Sequence, residues 1–127
     1  MITGVKFVSI PTKDQSASLA FYTSVLGWTV FTDQPFMGDA RWIELKIPGA
    51  ETRVVLFKTP PEEEYRVGKL FYGALACDDV EATYEQLQAR GVTFIQPPQR
   101  QPGGTFAIFA DPEGNQFVLS NKGGRHG

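Results

Sequence analysis

The chain has 127 residues, 42% of them hydrophobic and 20% charged, with a formal net charge of −2. That is the size and balance of one compact globular domain, and it excludes the obvious basic face of a nucleic-acid binder. A single His and a single Cys argue against a His-based nucleophilic site, a histidine-rich zinc site and an intrachain disulfide. The His, His126, lies in the Gly-rich tail 123–127, which is expected to be flexible. The unpaired Cys77 suits a reducing compartment. No apolar run approaches the roughly 20 residues of a membrane span. Met1 to Lys6 lacks the basic-then-apolar order of a secretion signal. These features predict a soluble, cytoplasmic protein with one domain, 1–127, that touches neither nucleic acid nor membrane.

In chain order, residues 2–10 carry Val5, Phe7, Val8 and Ile10 and predict a strand that Pro11 ends. Residues 14–26 predict a helix: Leu19, Tyr22 and Leu26 recur at helical spacing, Asp14 or Ser16 can cap the start, and Gly27 can stop the end. Residues 28–32 are aromatic and β-branched, the composition of a strand. Residues 41–47 alternate, with Ile43, Leu45 and Ile47 on one face and Trp42, Glu44 and Lys46 on the other. Residues 52–58 form a further strand that opposes Val54 and Leu56 to Arg53, Val55 and Phe57. The first module is thus β-α-β-β-β, about 1–58. Residues 59–69, with Pro60-Pro61 and three glutamates, have linker composition.

The order then restarts. Residues 70–77 predict a strand and 79–90 a helix, with Asp78 and Glu81 at capping-box spacing and Gly91 as its stop. A strand at 92–95 leads into a Pro/Gly/Gln loop at 96–104. Strands at 105–110 and 116–121 flank the turn sequence Asp111-Pro112-Glu113-Gly114-Asn115. The second module, about 70–122, is again β-α-β-β-β. Asp14 and Asp79, like Phe7 and Tyr72, are 65 residues apart; Gly27 and Gly91, Thr29 and Thr93, and Pro48 and Pro112 are 64 apart. Such regularity indicates an internal repeat of a unit too short to bury much surface alone.

Three stretches carry a family likeness. Ser18-Leu19-Ala20-Phe21-Tyr22 leads to Val25-Leu26-Gly27-Trp28; Cys77-Asp78-Asp79-Val80 stands at a strand-to-helix junction; Asp111 to Asn115 forms a D-P-E-G-N turn. Together they resemble the vicinal oxygen chelate superfamily, which includes glyoxalase I, bleomycin-resistance proteins, fosfomycin-resistance proteins and extradiol dioxygenases. The resemblance spans about residues 2–122. It implies an α+β fold of two tandem βαβββ modules that form a curved, barrel-like sheet around a cleft. Metal enzymes of the superfamily hold a divalent ion there with four side chains. The positions that the resemblance assigns to these ligands are Phe7, Val55, Tyr72 and Val118.

Aliphatic side chains and Phe cannot bind a metal, and a lone phenol with a pKa near 10 is a poor ligand for a divalent ion. The resemblance therefore implies a member closest in character to the bleomycin-resistance branch. Such a protein binds a small organic molecule in the cleft, with no metal and no cofactor. The expected ligand-binding residues are Phe7, Trp42, Glu44, Arg53, Val55, Phe57, Tyr72 and Val118. The aromatic rings would stack on a planar or amphipathic ligand, and Arg53 or Glu44 would pair with it. Glu44 and Arg53 equally suit a cross-strand pair on an exposed sheet face. A homodimer is expected, because exposed sheet edges and a shallow cleft invite a second subunit. The alternative is a lyase- or dioxygenase-type enzyme of the same superfamily. It would use shifted metal ligands such as Glu44, or Tyr72, Glu44 and Arg53 as metal-free polar catalysts. An interaction module with a vestigial cleft is the third reading.

Overall fold

The structure is a computed structural model and describes residues 1–122. The tail expected to be flexible, 123–127, lies outside the described residues. The chain divides into two compact units, Met1–Val67 and a second that begins at Gly68. Each holds one four-stranded mixed sheet and one α-helix, so the α+β double βαβββ order is what the chain adopts.

In the first unit the elements are β1 (Phe7–Thr12), α1 (Gln15–Ala20), β2 (Thr29–Pro35), β3 (Arg41–Lys46) and β4 (Arg53–Lys58). The sheet order is β1-β4-β3-β2, with β1 parallel to β4 and the other pairs antiparallel. Ile43 lies opposite Leu56, Leu45 opposite Val54, and Ile10 beside Leu56. These side chains share one face and are buried. Helix α1 packs on this sheet through β4, and Gln15 secures its start. The Gln15 amide donates to the carbonyls of Arg41 at 2.7 Å and Leu56 at 2.9 Å, and its oxygen accepts from Arg41 N–H at 3.0 Å.

In the second unit the elements are β5 (Leu70–Cys77), α2 (Val80–Ala89), β6 (Thr93–Gln101), β7 (Gly104–Ala110) and β8 (Gln116–Asn121). The order β5-β8-β7-β6 repeats that of the first sheet, again with one parallel pair, β5 with β8. Val80 of α2 packs with Ala107 and Leu119, and Leu75, Cys77 and Phe94 close around them.

The repeat is visible in atomic detail. Asp14 and Asp79 both cap their helices, accepting from the N–H groups of Ala17 at 3.0 Å and Ala82 at 3.1 Å. Gly27 and Gly91 both end the helical segment with positive φ, 80° and 90°. The D-P-E-G-N turn is a buried polar knot. Asp111 Oδ1 accepts from the N–H groups of Glu113 and Asn115, and Asn115 Nδ2 donates to Asp111 Oδ2, each at 2.9 Å.

Several local expectations are corrected. Pro11 does not end β1, and Pro97 and Pro98 do not form a loop: they lie inside β1 and β6. Pro35, by contrast, is the last residue of β2. All three strands are sheet edges, where a missing N–H leaves no neighbour unpaired. The first helix is α-helical only to Ala20 and continues as a π-helical turn, Phe21–Val25. The cap of α2 is Asp79, whereas Asp78 pairs with Lys122 at 2.8 Å. Within the expected linker, Pro61–Arg66 forms a 3₁₀ helix, with Pro at its start and acidic side chains in its first turn.

Candidate functional site

Strand alternation and register bring six of the eight expected ligand-binding residues to one face of the first sheet. Phe7 lies beside Arg53, and Glu44 beside Val55, so Phe7, Glu44, Arg53, Val55 and Phe57 all point away from α1, with Trp42 two residues before Glu44. Trp42 is half-buried, with Phe7 edge-on to it at 5.6 Å and Phe36 at 5.3 Å. Phe57 is exposed, and Val55 is fully buried.

Glu44 is the polar centre of this face and only 7% exposed. Its Oε1 accepts from Trp42 Nε1 at 3.1 Å, and its Oε2 accepts from Arg53 Nη1 at 3.0 Å. Burial pushes the carboxyl up, but the hydrogen bonds from Trp42 and Arg53 and the charges of Arg53 and Lys6 outweigh it. The carboxyl therefore sits below its ordinary value. The Arg53 guanidinium also lies over the Phe31 ring, 3.5 Å from its centroid. The cross-strand pair and the aromatic face are thus one arrangement: an ion pair set in a surround of rings.

Phe31 and Lys6 were not among the expected residues. Phe31 sits at a bulge in β2, where pairing with β3 skips from Val30 to Thr32, so simple alternation does not assign its face. Lys6 precedes β1, and its carbonyl accepts from Arg53 N–H at 3.2 Å.

Tyr72 and Val118 belong to the second unit. Tyr72 is 95% exposed and lies where the β5–β8 register shifts, between Leu70 and Ala74. Val118 is half-buried on β8, between Ala74 of β5 and Ile108 of β7. A groove of about 250 Å³ opens beside the start of α2, lined by Asp78, Asp79, Arg100 and Thr105 among others. Two of its three acids already serve the structure: Asp79 caps the helix and Asp78 pairs with Lys122. Cys77 is half-buried, and burial pushes its thiol up, which makes it a packing residue and a weak nucleophile. Among the described residues, no three His, Cys, Asp or Glu side chains converge on a point that could hold a metal ion. No helix among the described residues is long and apolar enough to cross a membrane.

Residues 4–119 match the family model of the glyoxalase/bleomycin resistance protein/dioxygenase superfamily, and the chain belongs to that superfamily. Among its relatives, the uncharacterized protein YetH of Bacillus subtilis (strain 168) is 32% identical over 122 residues, 94% of this chain and 98% of YetH. A superfamily member from Sphaerobacter thermophilus superposes with a TM-score of 0.85 at 34% identity, covering 95% of this chain and 98% of the other. TnmS3, an antibiotic binding protein from Streptomyces sp. CB03234, superposes with a TM-score of 0.80 at 34% identity, covering 94% and 96%.

Proposed function

We propose that the chain is a binding member of its superfamily that takes up a small planar or amphipathic organic molecule without a metal ion. The observation that carries this reading is the Trp42–Glu44–Arg53–Phe31 arrangement, flanked by Phe7 and Phe57 on a single sheet face. Flat rings offer stacking area, and a fixed ion pair orients a polar group, the usual division of labour in a small-molecule site. The likeness to an antibiotic binding protein supports the same reading. Tyr72 and Val118 are proposed as ligand contacts on the second unit's own sheet.

The metal-free part rests on donor chemistry. At the four positions where the resemblance puts ligands, Phe7, Val55 and Val118 offer no donor atom and Tyr72 only a phenol. These residues do not fit a divalent ion. Glu44, the alternative ligand, already engages both carboxylate oxygens with Trp42 and Arg53. This counts against the enzymatic alternative built on shifted ligands.

A homodimer is part of the proposal. Strand β5 is a sheet edge, and it exposes Leu70 and Tyr72, which suits a second subunit. Light scattering should then give twice the 14.0 kDa chain mass, and the mass of one chain would remove this element. A cytoplasmic location belongs to the same reading, since the unpaired Cys77 suits a reducing compartment.

The main test is a thermal-shift screen of flat aromatic and amphipathic compounds, alongside metal analysis of untagged protein purified without chelator. A compound at 100 times its Kd stabilises the fold by about 2.7 kcal/mol, a shift of several degrees. Stabilising compounds and substoichiometric metal are expected. A stoichiometric transition metal, or no stabilisation across a broad library, would overturn the reading.

A further inference from the structure

The Glu44–Arg53 pair has unequal hydrogen-bonding capacity left over, and this asymmetry bears on what the face can bind. The inference rests on the small-molecule reading above and asks which chemistry the ligand carries.

Glu44 is nearly closed to a newcomer. It is 7% exposed, and each carboxylate oxygen already accepts a hydrogen bond, from Trp42 Nε1 or Arg53 Nη1. A cationic ligand group would have to displace one of these donors to reach it. Arg53 differs. A guanidinium has five N–H donors in one plane. Among the described residues, only the Nη1 group donates, to Glu44, and the plane rests on Phe31. The Arg53 side chain remains 31% exposed, and its Nε and Nη2 hydrogens have no protein acceptor among the described residues. Stacking on one side and the ion pair on the other fix the direction of these donors.

The neighbouring charges favour the same sign of ligand. Lys6, joined to Arg53 through the backbone, is exposed, and its charge is felt at Glu44. Lys46 is exposed on the same side of β3 as Glu44. Lys6, Lys46 and Arg53 thus add positive charge beside the buried carboxylate of Glu44.

We infer that the ligand is an aromatic organic acid, with its acidic oxygens on the free Nε and Nη2 donors of Arg53 and its ring against Trp42 and Phe7. A carboxylate or sulfonate matches the planar fork of the guanidinium, whereas an ammonium group meets repulsion from all three cations.

Three probes of one shape test this by calorimetry: 2-naphthoate, 2-naphthamide and 2-naphthylmethylammonium. The naphthoate should bind at least tenfold more tightly than the ammonium, with the amide between them. Arg53→Gln should shrink the naphthoate advantage at least threefold. Arg53→Lys, which keeps the charge and can still reach Glu44, guards against a folding defect and should retain part of the advantage. Glu44→Gln should preserve or increase it. If the ammonium binds as tightly as the naphthoate or more tightly, the acid preference is wrong although the binding face stands. An advantage unchanged in Arg53→Gln would also overturn the role of Arg53. Failure of all three probes to bind would overturn both this inference and the small-molecule reading beneath it.

Discussion

Arg53 reaches across from β4 to donate to the buried carboxylate of Glu44 on β3 at 3.0 Å, while its guanidinium lies 3.5 Å from the centroid of Phe31. The two residues are therefore coupled: Glu44 holds the cation in place, and the cation helps to keep a buried carboxylate ionised. Removing either side leaves the other worse paired. Glu44→Ala and Arg53→Ala are each expected to cost about 1–3 kcal/mol in chemical denaturation. The double variant should lose less than the sum, with a coupling of about 1 kcal/mol, tempered by the partial exposure of Arg53. Strict additivity would mean that the pair is not coupled.

The same carboxylate gives the stability a pH dependence of defined sign. The folded-state pKa of Glu44 lies below its ordinary value, so folding favours the ionised form. That contribution is complete above the unfolded-chain pKa of about 4.3 and is lost as pH falls through the folded value. Asp33 behaves alike, because the hydrogen bond from Arg41 also lowers its pKa. Stability measured from pH 7 downward should be flat to about pH 5 and then fall. In Glu44→Gln the fall should be shallower; an unchanged slope would show that Glu44 does not contribute to it.

Gln15 is expected to matter for the first unit beyond its size. Its amide occupies two carbonyls and one N–H of β3 and β4, and the Leu56 carbonyl it serves is buried. Gln15→Leu keeps the bulk but leaves those groups unpaired, at about 1–3 kcal/mol for each buried group without a partner. Amide hydrogen exchange should report the loss at Arg41, whose N–H donates to the Gln15 oxygen. Protection there equal to that of the parent protein would contradict this assignment.

The equivalent helix caps supply a paired comparison. Asp14→Ala and Asp79→Ala each remove the capping hydrogen bond from the N–H of the third residue onward. Each should cost about 1 kcal/mol, and because the caps sit in different units the costs should add. Denaturant midpoints of the two single variants and the double variant check this.

The repeat, the element order and the face shared by Trp42, Glu44, Arg53, Val55 and Phe57 were all legible in the sequence. Alternation at period two and helical spacing carry that information directly, as do residues with strict backbone demands such as Gly27 and Gly91. What was not legible depends on neighbours. Whether Pro97 and Pro98 break a strand depends on whether that strand is an edge, which only sheet order decides. The role of Phe31 depends on a bulge that shifts the count by one residue. Asp78 and Asp79 are both chemically able to cap a helix; the choice falls to Asp79, while Lys122 takes Asp78. Of the expected ligand residues, Tyr72 and Val118 came from the family resemblance, and they fall on the second unit's sheet.

The most direct test of the binding face is a nuclear magnetic resonance titration with 2-naphthoate that follows the two tryptophan indole N–H signals. The Trp42 indole donates to Glu44 in the middle of the proposed site, whereas Trp28 is buried against Tyr22 on the π-helical turn. The account predicts a saturable shift of the Trp42 signal, accompanied by the Arg53 side-chain Nε–H, while the Trp28 signal stays in place. A ligand that binds yet leaves Trp42 and Arg53 unmoved would contradict it.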